Sequence, residues 1–473
     1  MSAAISLPNP GAPAAPTVPV PVAELFDIVS EAIEAGRFDR ADRLVDQVLA
    51  AFPSAADALH TKGLIAARRK RFAEAVGWME RGAAAGGRRA GQLRNLSEAY
   101  RVMGRLDDAL AAARQAVAAD PADANGPFNL AMLHYDRMEL DPCIRAARHA
   151  LQLKGNMAAA HMKLAQALLL KGGFEEGWAE YEWRYQIPGA QKLMPATDRK
   201  QWNGEALAAD QRLLLVADQG YGDVVMFARY VPWVLSRCRN VAVACSNEML
   251  PVLRRTFPRL TLFNNWGEIG SYHVFCPLSG LPRLHGTRLD TIPAPTPYFT
   301  ADPERAARWR AQLDAQAPRG AKRVGIAWAG RPTHNNDHNR TTTLANFAPL
   351  GDVPGIVLVS LQKGEAARET ASWSGRTKLL DLGGALETFE DTMAVIDGLD
   401  LTVVVDTAIG HFAGAMNRPV WIMVPFAPDW RWLTDRADSP WYPSVRLFRH
   451  PATRRWDLVI AAVAASLRQL VAR

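Results

Sequence analysis

Four short stretches carry the side chains best suited to chemistry. Asp218-Gln219-Gly220-Tyr221-Gly222-Asp223 follows an apolar run. Gly220 and Gly222 allow a tight turn and a close backbone approach to a ligand, and a helix is expected from Asp223. A carboxylate there can act as general base on an acceptor hydroxyl, or simply cap its helix; spacing alone favours the cap. The third glycine of the dinucleotide fingerprint is missing. Gly330 to Arg340 (GRPTHNNDHNR), followed by Thr341 to Thr343, is dense in hydrogen-bond donors and includes His334 and Asn336. Arg340 at its end can neutralise a diphosphate, aided by the hydroxyls that follow. His334, Asp337 and His338 also read as metal ligands, but a loop offers no fixed helical face and no metal is expected. Leu361-Gln362-Lys363-Gly364-Glu365 suits either a nucleoside with a carboxylate on its ribose or a solvated turn. Asp406-Thr407-Ala408-Ile409-Gly410-His411 leads into a helical segment, Phe412 to Asn417. Amides at that helix start make an anion site, reinforced by the helix dipole. Asp406 is placed to accept hydrogen bonds from sugar hydroxyls. His411, one turn into the helix, either faces the cleft or is a buried, satisfied histidine.

Each stretch closes an apolar run: RLLLVA (212–217), VGIAWA (324–329), GIVLVS (355–360) and LTVVV (401–405). VAVAC (241–245) and VWIMV (420–424) are of the same kind. Continuous runs rich in Val and Ile mark parallel strands covered on both faces. Helical stretches such as Asp223 to Arg237 and Leu386 to Leu399 alternate with them, which implies doubly wound sheets. A first sheet is expected over about 205–300 and a second from Val324. Pro293 to Pro297 falls near the end of the first, and a helix, Pro303 to Gln316, leads out of it. A closing helix, Trp456 to Val471, is expected to cross back onto the first sheet. Ligands of such sheets sit beyond the carboxyl ends of the strands, where the four stretches lie.

The first part of the chain has another period. Phe38, Phe72, Leu106, Leu140 and Phe174 are each 34 residues apart. Ala41, Ala75, Ala109, Cys143 and Gly177 keep the same step, as do Gly63, Ser97, Ala131 and Ala165. Pro53, Gly87, Pro121 and Gly155 form a fourth column that ends each second helix. Small residues are needed where the two helices of a hairpin cross closely. One hairpin cannot bury its own apolar face, so the hairpins stack into a curved solenoid whose concave face suits a peptide or protein. The alternative is a spacer or dimerisation element. Arg68, Arg69, Arg71, Arg88 and Arg89 form a candidate basic stripe for an acidic partner, or a solvated face. The last copy, Phe174 to Tyr185, carries Trp178, Tyr181, Trp183 and Tyr185, an aromatic density suited to packing on the next domain.

The 473 residues allow two to four domains. With 49% hydrophobic and 22% charged residues, global disorder is excluded. No apolar run reaches the ~18 residues of a membrane span. Residues 1–21 hold Pro8, Pro10, Pro13, Pro16, Pro19 and Pro21 and no charge, which reads as a disordered leader. Cys143, Cys238, Cys245 and Cys276 form no CxxC pair and read as buried thiols of a reducing cytoplasm. The net charge of +7, from 10 Lys and 45 Arg against 48 acidic residues, suits phosphorylated small molecules. Nucleic acid is the weaker reading, because the Arg residues are dispersed and no recognition motif appears.

The repeats resemble the tetratricopeptide repeat, in about five copies over 22–187. Gly177 to Tyr185 (GWAEYEWRY), Gln219 to Tyr230, Trp328 to Arg340, Asp406 to Pro419 and Pro428 to Tyr442 (PDWRWLTDRADSPWY) together resemble the bacterial tetratricopeptide-repeat glycosyltransferases. The sheet region is also similar to the family 9 heptosyltransferases, and the pairing with repeats to protein O-glycosyltransferases. The resemblance implies an α-solenoid followed by a GT-B fold of two Rossmann-like domains. The expected boundaries are a leader 1–21, a solenoid 22–187, an acceptor domain 188–318, and a donor domain 319–473 with its closing helix. It implies a metal-independent, cytoplasmic glycosyltransferase that takes a nucleotide-sugar as substrate, without a resident cofactor. Asp223, matching the family's Gly-Asp, is the implied base, which reverses the preference for a cap. Arg340, Thr341, Gln362, Asp406, Thr407, Ala408 and His411 are implied at the donor. Gly220, Tyr221, Gly222, His334 and Asn336 form the acceptor-side loops. Ala408 stands where the heptosyltransferases have Gly, Arg340 where they have Lys, and Tyr221 where the repeat family commonly has Leu. The implied acceptor is a protein held by the repeats, such as flagellin or another surface protein. Trp421, Trp430, Trp432 and Trp441 would border the donor cleft. The rival reading is an interaction scaffold whose transferase domain no longer turns over.

Overall fold

The computed structural model describes residues 4–7, 18–188, 194–195, 197–293, 295–334, 336–451 and 455–472. It divides into two compact units, Met1–Leu164 and Ala165–Arg473. In the first, β1 (Ala4–Leu7) pairs antiparallel with β2 (Val18–Pro21), Ala4 opposite Pro21 and Leu7 opposite Val18. The leader reading has no element there. A two-stranded ribbon leaves free edges on which prolines are tolerated. Residues 8–17 lie outside the described ones.

Among the described residues nine helices follow: α1 (Val22–Glu34), α2 (Phe38–Ala51), α3 (Ala56–Arg68), α4 (Phe72–Ala84), α5 (Ala90–Val102), α6 (Leu106–Ala119), α7 (Asn125–Asp136), α8 (Leu140–Leu153) and α9 (Ala158–Lys171), within which the division between the units falls. The 34-residue apolar column is the first residue of α2, α4, α6 and α8, and of α10 (Phe174–Tyr181) in the second unit. Ala41, Ala75, Ala109 and Cys143 are fully enclosed. The reason is close helix crossing. A Cβ added at Gly63 on α3 would lie 2.9 Å from the Ala75 carbonyl oxygen on α4. One repeat later, Ser97 donates its hydroxyl to the Ala109 carbonyl at 2.9 Å. Gly63→Leu is therefore expected to destabilise this unit by roughly 1–3 kcal/mol in urea unfolding. Gly77→Ala, with nothing within 4 Å of the new Cβ, is expected to stabilise it slightly through helix propensity.

Three arginines of the stripe are paired with carboxylates. Arg69 pairs with Asp39 and with Asp42 at 3.0 Å, Arg71 with Glu74 at 3.4 Å, and Arg89 with Asp57. Arg88 donates to the Ala83 carbonyl at 3.4 Å. For Arg69 and Arg89, stacking brings carboxylates of one hairpin beside cations of the next; Arg71 pairs within its own helix start. Such surface pairs contribute little stability and offset the charge of Arg69, Arg71 and Arg89, while the Arg88 bond to a carbonyl leaves its charge in place.

In the second unit, a five-stranded parallel sheet contains β3 (Lys200–Gln201), β4 (Arg212–Val216), β5 (Asn240–Ala244), β6 (Thr261–Phe263) and β7 (Val274–Pro277) in the order β3-β7-β4-β5-β6. A six-stranded parallel sheet contains β8 (Lys322–Ala327), β9 (Ile356–Ser360), β10 (Leu379–Asp381), β11 (Leu401–Val405), β12 (Val420–Val424) and β13 (Val445–Arg449) in the order β10-β9-β8-β11-β12-β13. The helices are α11 (Tyr221–Phe227), α12 (Val231–Arg237), α13 (Leu250–Thr256), α14 (Leu281–His285), α15 (Pro303–Gln316), α16 (Asp337–Arg340), α17 (Phe389–Asp397), α18 (Ala408–Ala415) and α19 (Trp456–Val471).

Every residue of β9, β11 and β12 is buried, which is why these runs read as continuous apolar sequence. In the second sheet β8 lies between β9 and β11, giving the doubly wound order 3-2-1-4-5-6; in the first, β4 lies between β5 and β7. Each sheet thus has a switch point beside its first long strand, where a ligand crevice opens. One expectation is corrected. The closing helix α19 stays with the second sheet: Val459, Ile460, Val463, Ala464 and Leu467 share a core with Val324, Leu358, Val403, Phe347 and Leu350. Its apolar stripe matches the face of the sheet it follows. Among the described residues no helix is long and apolar enough to cross a membrane.

Candidate functional site

The two switch points face each other. Helix α11 follows β4, α18 follows β11, and the two helices pack together. The contact closes on Gly222, where an added Cβ would lie 2.7 Å from the His411 ring. Only glycine admits this approach. Gly222→Ala is expected to push His411 off its partners, with a loss of about 1–3 kcal/mol in thermal unfolding and weakened binding in the cleft.

Asp223 does not cap its helix. The cap of α11 is Gly220, which makes no side-chain cap bond. The Asp223 carboxylate instead accepts from the Arg431 guanidinium and remains 23% exposed. Arg431 is almost fully buried, also pairs with Asp429 at 2.8 Å, and lies over the Trp430 ring at 4.8 Å. Burial pushes the Asp223 carboxyl up to about 6, against the lowering by Arg431. Burial also raises the Asp406 carboxyl, which Arg431 and Arg340 work to lower.

On the second sheet's side, Arg340 donates to the Asp406 carbonyl at 3.2 Å, spanning the ends of β8 and β11. Thr341 accepts from the Gly330 amide at 3.0 Å and donates to Asp337 at 2.8 Å, so its hydroxyl braces the loop. Thr407 is the cap of α18, yet its buried hydroxyl has no partner among the described residues. Together with the amides from Ala408 onward, that hydroxyl leaves donor groups pointing where an anion can sit. His411 is buried, bonded through Nδ1 to the Tyr442 hydroxyl at 2.8 Å, with Nε2 3.9 Å from Asp406. Burial and the nearby Arg431, Arg229 and Arg340 depress its pKa well below the usual value, so it stays neutral. His411 therefore occupies the buried, hydrogen-bonded position rather than the cleft surface.

The other expected residues lie around this cluster or away from it. Tyr221 packs edge-on against Phe389 at 4.9 Å, under the Arg331 guanidinium at 5.7 Å. His334 accepts from the Asn336 amide at 3.1 Å, and Asn336 accepts from Asn339 at 2.7 Å. Burial and Arg340 lower the His334 pKa. Gln362 is buried and fully engaged with backbone: it accepts from the Trp328 and Ala329 amides at 3.0 and 2.9 Å and donates to the Ala329 and Lys363 carbonyls. It holds β8 to β9 and has no group left for a ligand.

Four residues of the cluster have no role in the sequence reading: Arg431, Asp429 and Tyr442, and Asp218, which figures there only as the start of its stretch. The first three lie in the segment 428–442, whose tryptophans drew attention ahead of the arginine between them. Asp218, first in the β4 loop, is buried and bonds Tyr185 at 2.8 Å, the Ser279 amide at 3.2 Å and the Ser279 hydroxyl. It fixes the loop that presents Asp223 to the segment just after α10. Among the described residues no group of three or more His, Cys, Asp or Glu gathers to hold a metal.

The family match and the solved structures cover about a quarter to a third of the chain, and the FlbA match covers most of it. Residues 26–89 and 94–141 match the tetratricopeptide repeat family. Over 391 residues the chain is 26% identical to Protein FlbA of Caulobacter vibrioides, covering 73% of this chain and 61% of FlbA. The chain thus spans about three-fifths of that relative's length. Solved structures similar to it include MamA, at 20% identity over 33% of this chain and 91% of MamA, with a TM-score of 0.31. YrrB, described as a TPR protein with an unusual peptide-binding site, matches at 18% identity over 35% of this chain and 84% of its own, with a TM-score of 0.31. PilF of Pseudomonas aeruginosa matches at 17% identity over 36% of this chain and 79% of its own, with a TM-score of 0.34. The chain is an N-terminal tetratricopeptide solenoid followed by a region of parallel sheets.

Proposed function

We propose that this protein is a cytoplasmic glycosyltransferase of the GT-B kind, moving a sugar from a nucleotide-sugar to a hydroxyl of a protein held by the repeats. The observation that carries the reading is Asp223: a partly exposed carboxylate at one switch point, held near 6 by burial, facing an anion-ready helix start at the other. In the reaction, Asp223 takes the proton of the acceptor hydroxyl, whose oxygen attacks the anomeric carbon. The bond from that carbon to the diphosphate breaks, and the leaving diphosphate takes the electron pair. Arg340, the Thr407 hydroxyl and the amides from Ala408 onward stabilise the charge that develops. The tetratricopeptide repeats supply the surface for a protein acceptor, of which a flagellar or other surface protein is the candidate class.

A thermal-shift series with UDP-, GDP-, CMP- and ADP-sugars tests this. A selective rise in melting temperature for one nucleotide is expected, followed by a sugar-sized mass gain on an acceptor protein. The rival, a scaffold without turnover, is favoured by one observation: Asp223 is tied to Arg431. It predicts no shift with any donor and no mass gain.

A further inference from the structure

Arg431 stands in an unusual position for a structural arginine. It is almost fully buried and bonded to two carboxylates, Asp223 and Asp429, while its Nε is buried with no partner among the described residues. The next residue, Trp432, places its ring 5.4 Å from the His411 ring on α18, so the turn that carries Arg431 packs on that helix. A second unpartnered donor, the Thr407 hydroxyl, lies at the start of that helix. A buried cation with a free N–H, on a turn packed against the helix whose start carries a free hydroxyl and open amides, is arranged for an incoming anion.

We propose that Arg431 exchanges partners: in the free protein it holds Asp223, and when a nucleoside diphosphate enters the cleft it turns to that anion and frees Asp223 to act as base. This rests on the transferase reading of the cleft. Asp429 keeps Arg431 tethered through the exchange. The free protein then carries a neutralised base, and the base becomes available once a donor is in place.

The exchange has a measurable consequence in protons. The groups facing Asp223 are Arg431 and Asp429 from the 428–432 turn, Asp218 from its own loop, Asp406 from the end of β11, and Tyr181 from α10. His411 of α18 lies against the adjacent Gly222 and is neutral, and Arg431 is the cation paired with Asp223. Withdrawing that cation while adding a nearby anion raises the affinity of the Asp223 carboxylate for protons, so diphosphate binding is accompanied by proton uptake.

The test is isothermal calorimetry on the full chain with UDP, GDP, ADP and inorganic pyrophosphate, at about pH 6.5 in two buffers of different ionisation heat. The wild type is expected to take up a fraction of a proton more per diphosphate bound than the Asp223→Asn chain. That difference removes protons exchanged by the ligand itself. Arg431→Lys, which keeps the charge but loses the fork, is expected to bind about tenfold more weakly and to lose the extra uptake. Melting curves confirm that each variant is folded; Asp223→Asn assigns the proton to that carboxylate, and Arg431→Lys tests whether the arginine's release causes its uptake. Binding with the same proton uptake in wild type and variants overturns the exchange and leaves the transferase reading standing. No binding of any diphosphate overturns both.

Discussion

Asp223→Asn is expected to lower sugar transfer by about 10²–10⁴-fold, the usual contribution of a general base, while donor binding is no weaker, because Arg431 no longer has a carboxylate there to leave. The pH dependence identifies the group. Burial holds the carboxyl of the free protein near 6, so wild-type kcat/KM for the donor should rise with pH through about 6 and then level off, and the variant's residual rate should lack that limb. Stability moves the other way. A carboxyl held above its ordinary 3.8 in the folded state favours the protonated fold. Its stabilising contribution is fully present below pH 3.8 and is lost as pH rises through about 6. The variant should therefore gain melting temperature relative to wild type as pH rises across that window. Initial rates and melting curves over one pH series check both signs. A variant that keeps wild-type turnover, or a rate with no limb near 6, would remove Asp223 from the chemistry.

The parts of this fold that announce themselves in sequence are those fixed by a single local cause. The 34-residue columns are legible because each marks one steric event, such as the crossing at Gly63 and Ala75. Strands β11 and β12 are legible to the residue because both faces are covered. Strand β13 was missed because Arg446 projects to solvent and breaks its apolar run, and β3 because both its residues are exposed. The site divides in the same way. Gly222 and Asp223 sit at a strand end followed by a helix, and the pattern is local. The Arg431–Asp223 pair joins residues 208 apart in the chain. Nothing in the neighbourhood of Arg431 distinguishes it from the other arginines, because its role depends on which strand end the 428–442 segment returns to. The same holds for Asp218, whose partners Tyr185 and Ser279 lie 33 and 61 positions away. Gln362 shows the converse error: a polar residue at a strand end suggests a ligand, but here the backbone of the neighbouring strand claims all of its hydrogen bonds.

Trp430→Ala is expected to be among the most damaging substitutions in the second unit, at about 3–5 kcal/mol for a buried tryptophan. Trp430 is 2% exposed and meets three rings: Trp178 at 5.1 Å, Trp441 at 5.9 Å and Tyr181 at 6.2 Å. The Phe174 ring extends the cluster through Trp441 at 6.1 Å. These edge-on and stacked contacts join α10 to the segment that carries Arg431, and the Trp178 indole further ties α10 to the Thr287 carbonyl at 3.1 Å. Truncation leaves a cavity that rigid neighbouring rings cannot fill. It also removes the aromatic face beneath the Arg431 guanidinium. The loss should therefore exceed destabilisation: well below its own melting temperature, the variant should bind nucleoside diphosphates more weakly than wild type. Trp430→Phe keeps a ring under the guanidinium and should recover most of the binding while remaining less stable. Urea unfolding followed by circular dichroism, with diphosphate titrations on both variants, separates the two effects. Wild-type stability in Trp430→Ala would mean that α10 and the site segment do not depend on each other. Equal binding in both folded variants would mean that the ring does not set the arginine.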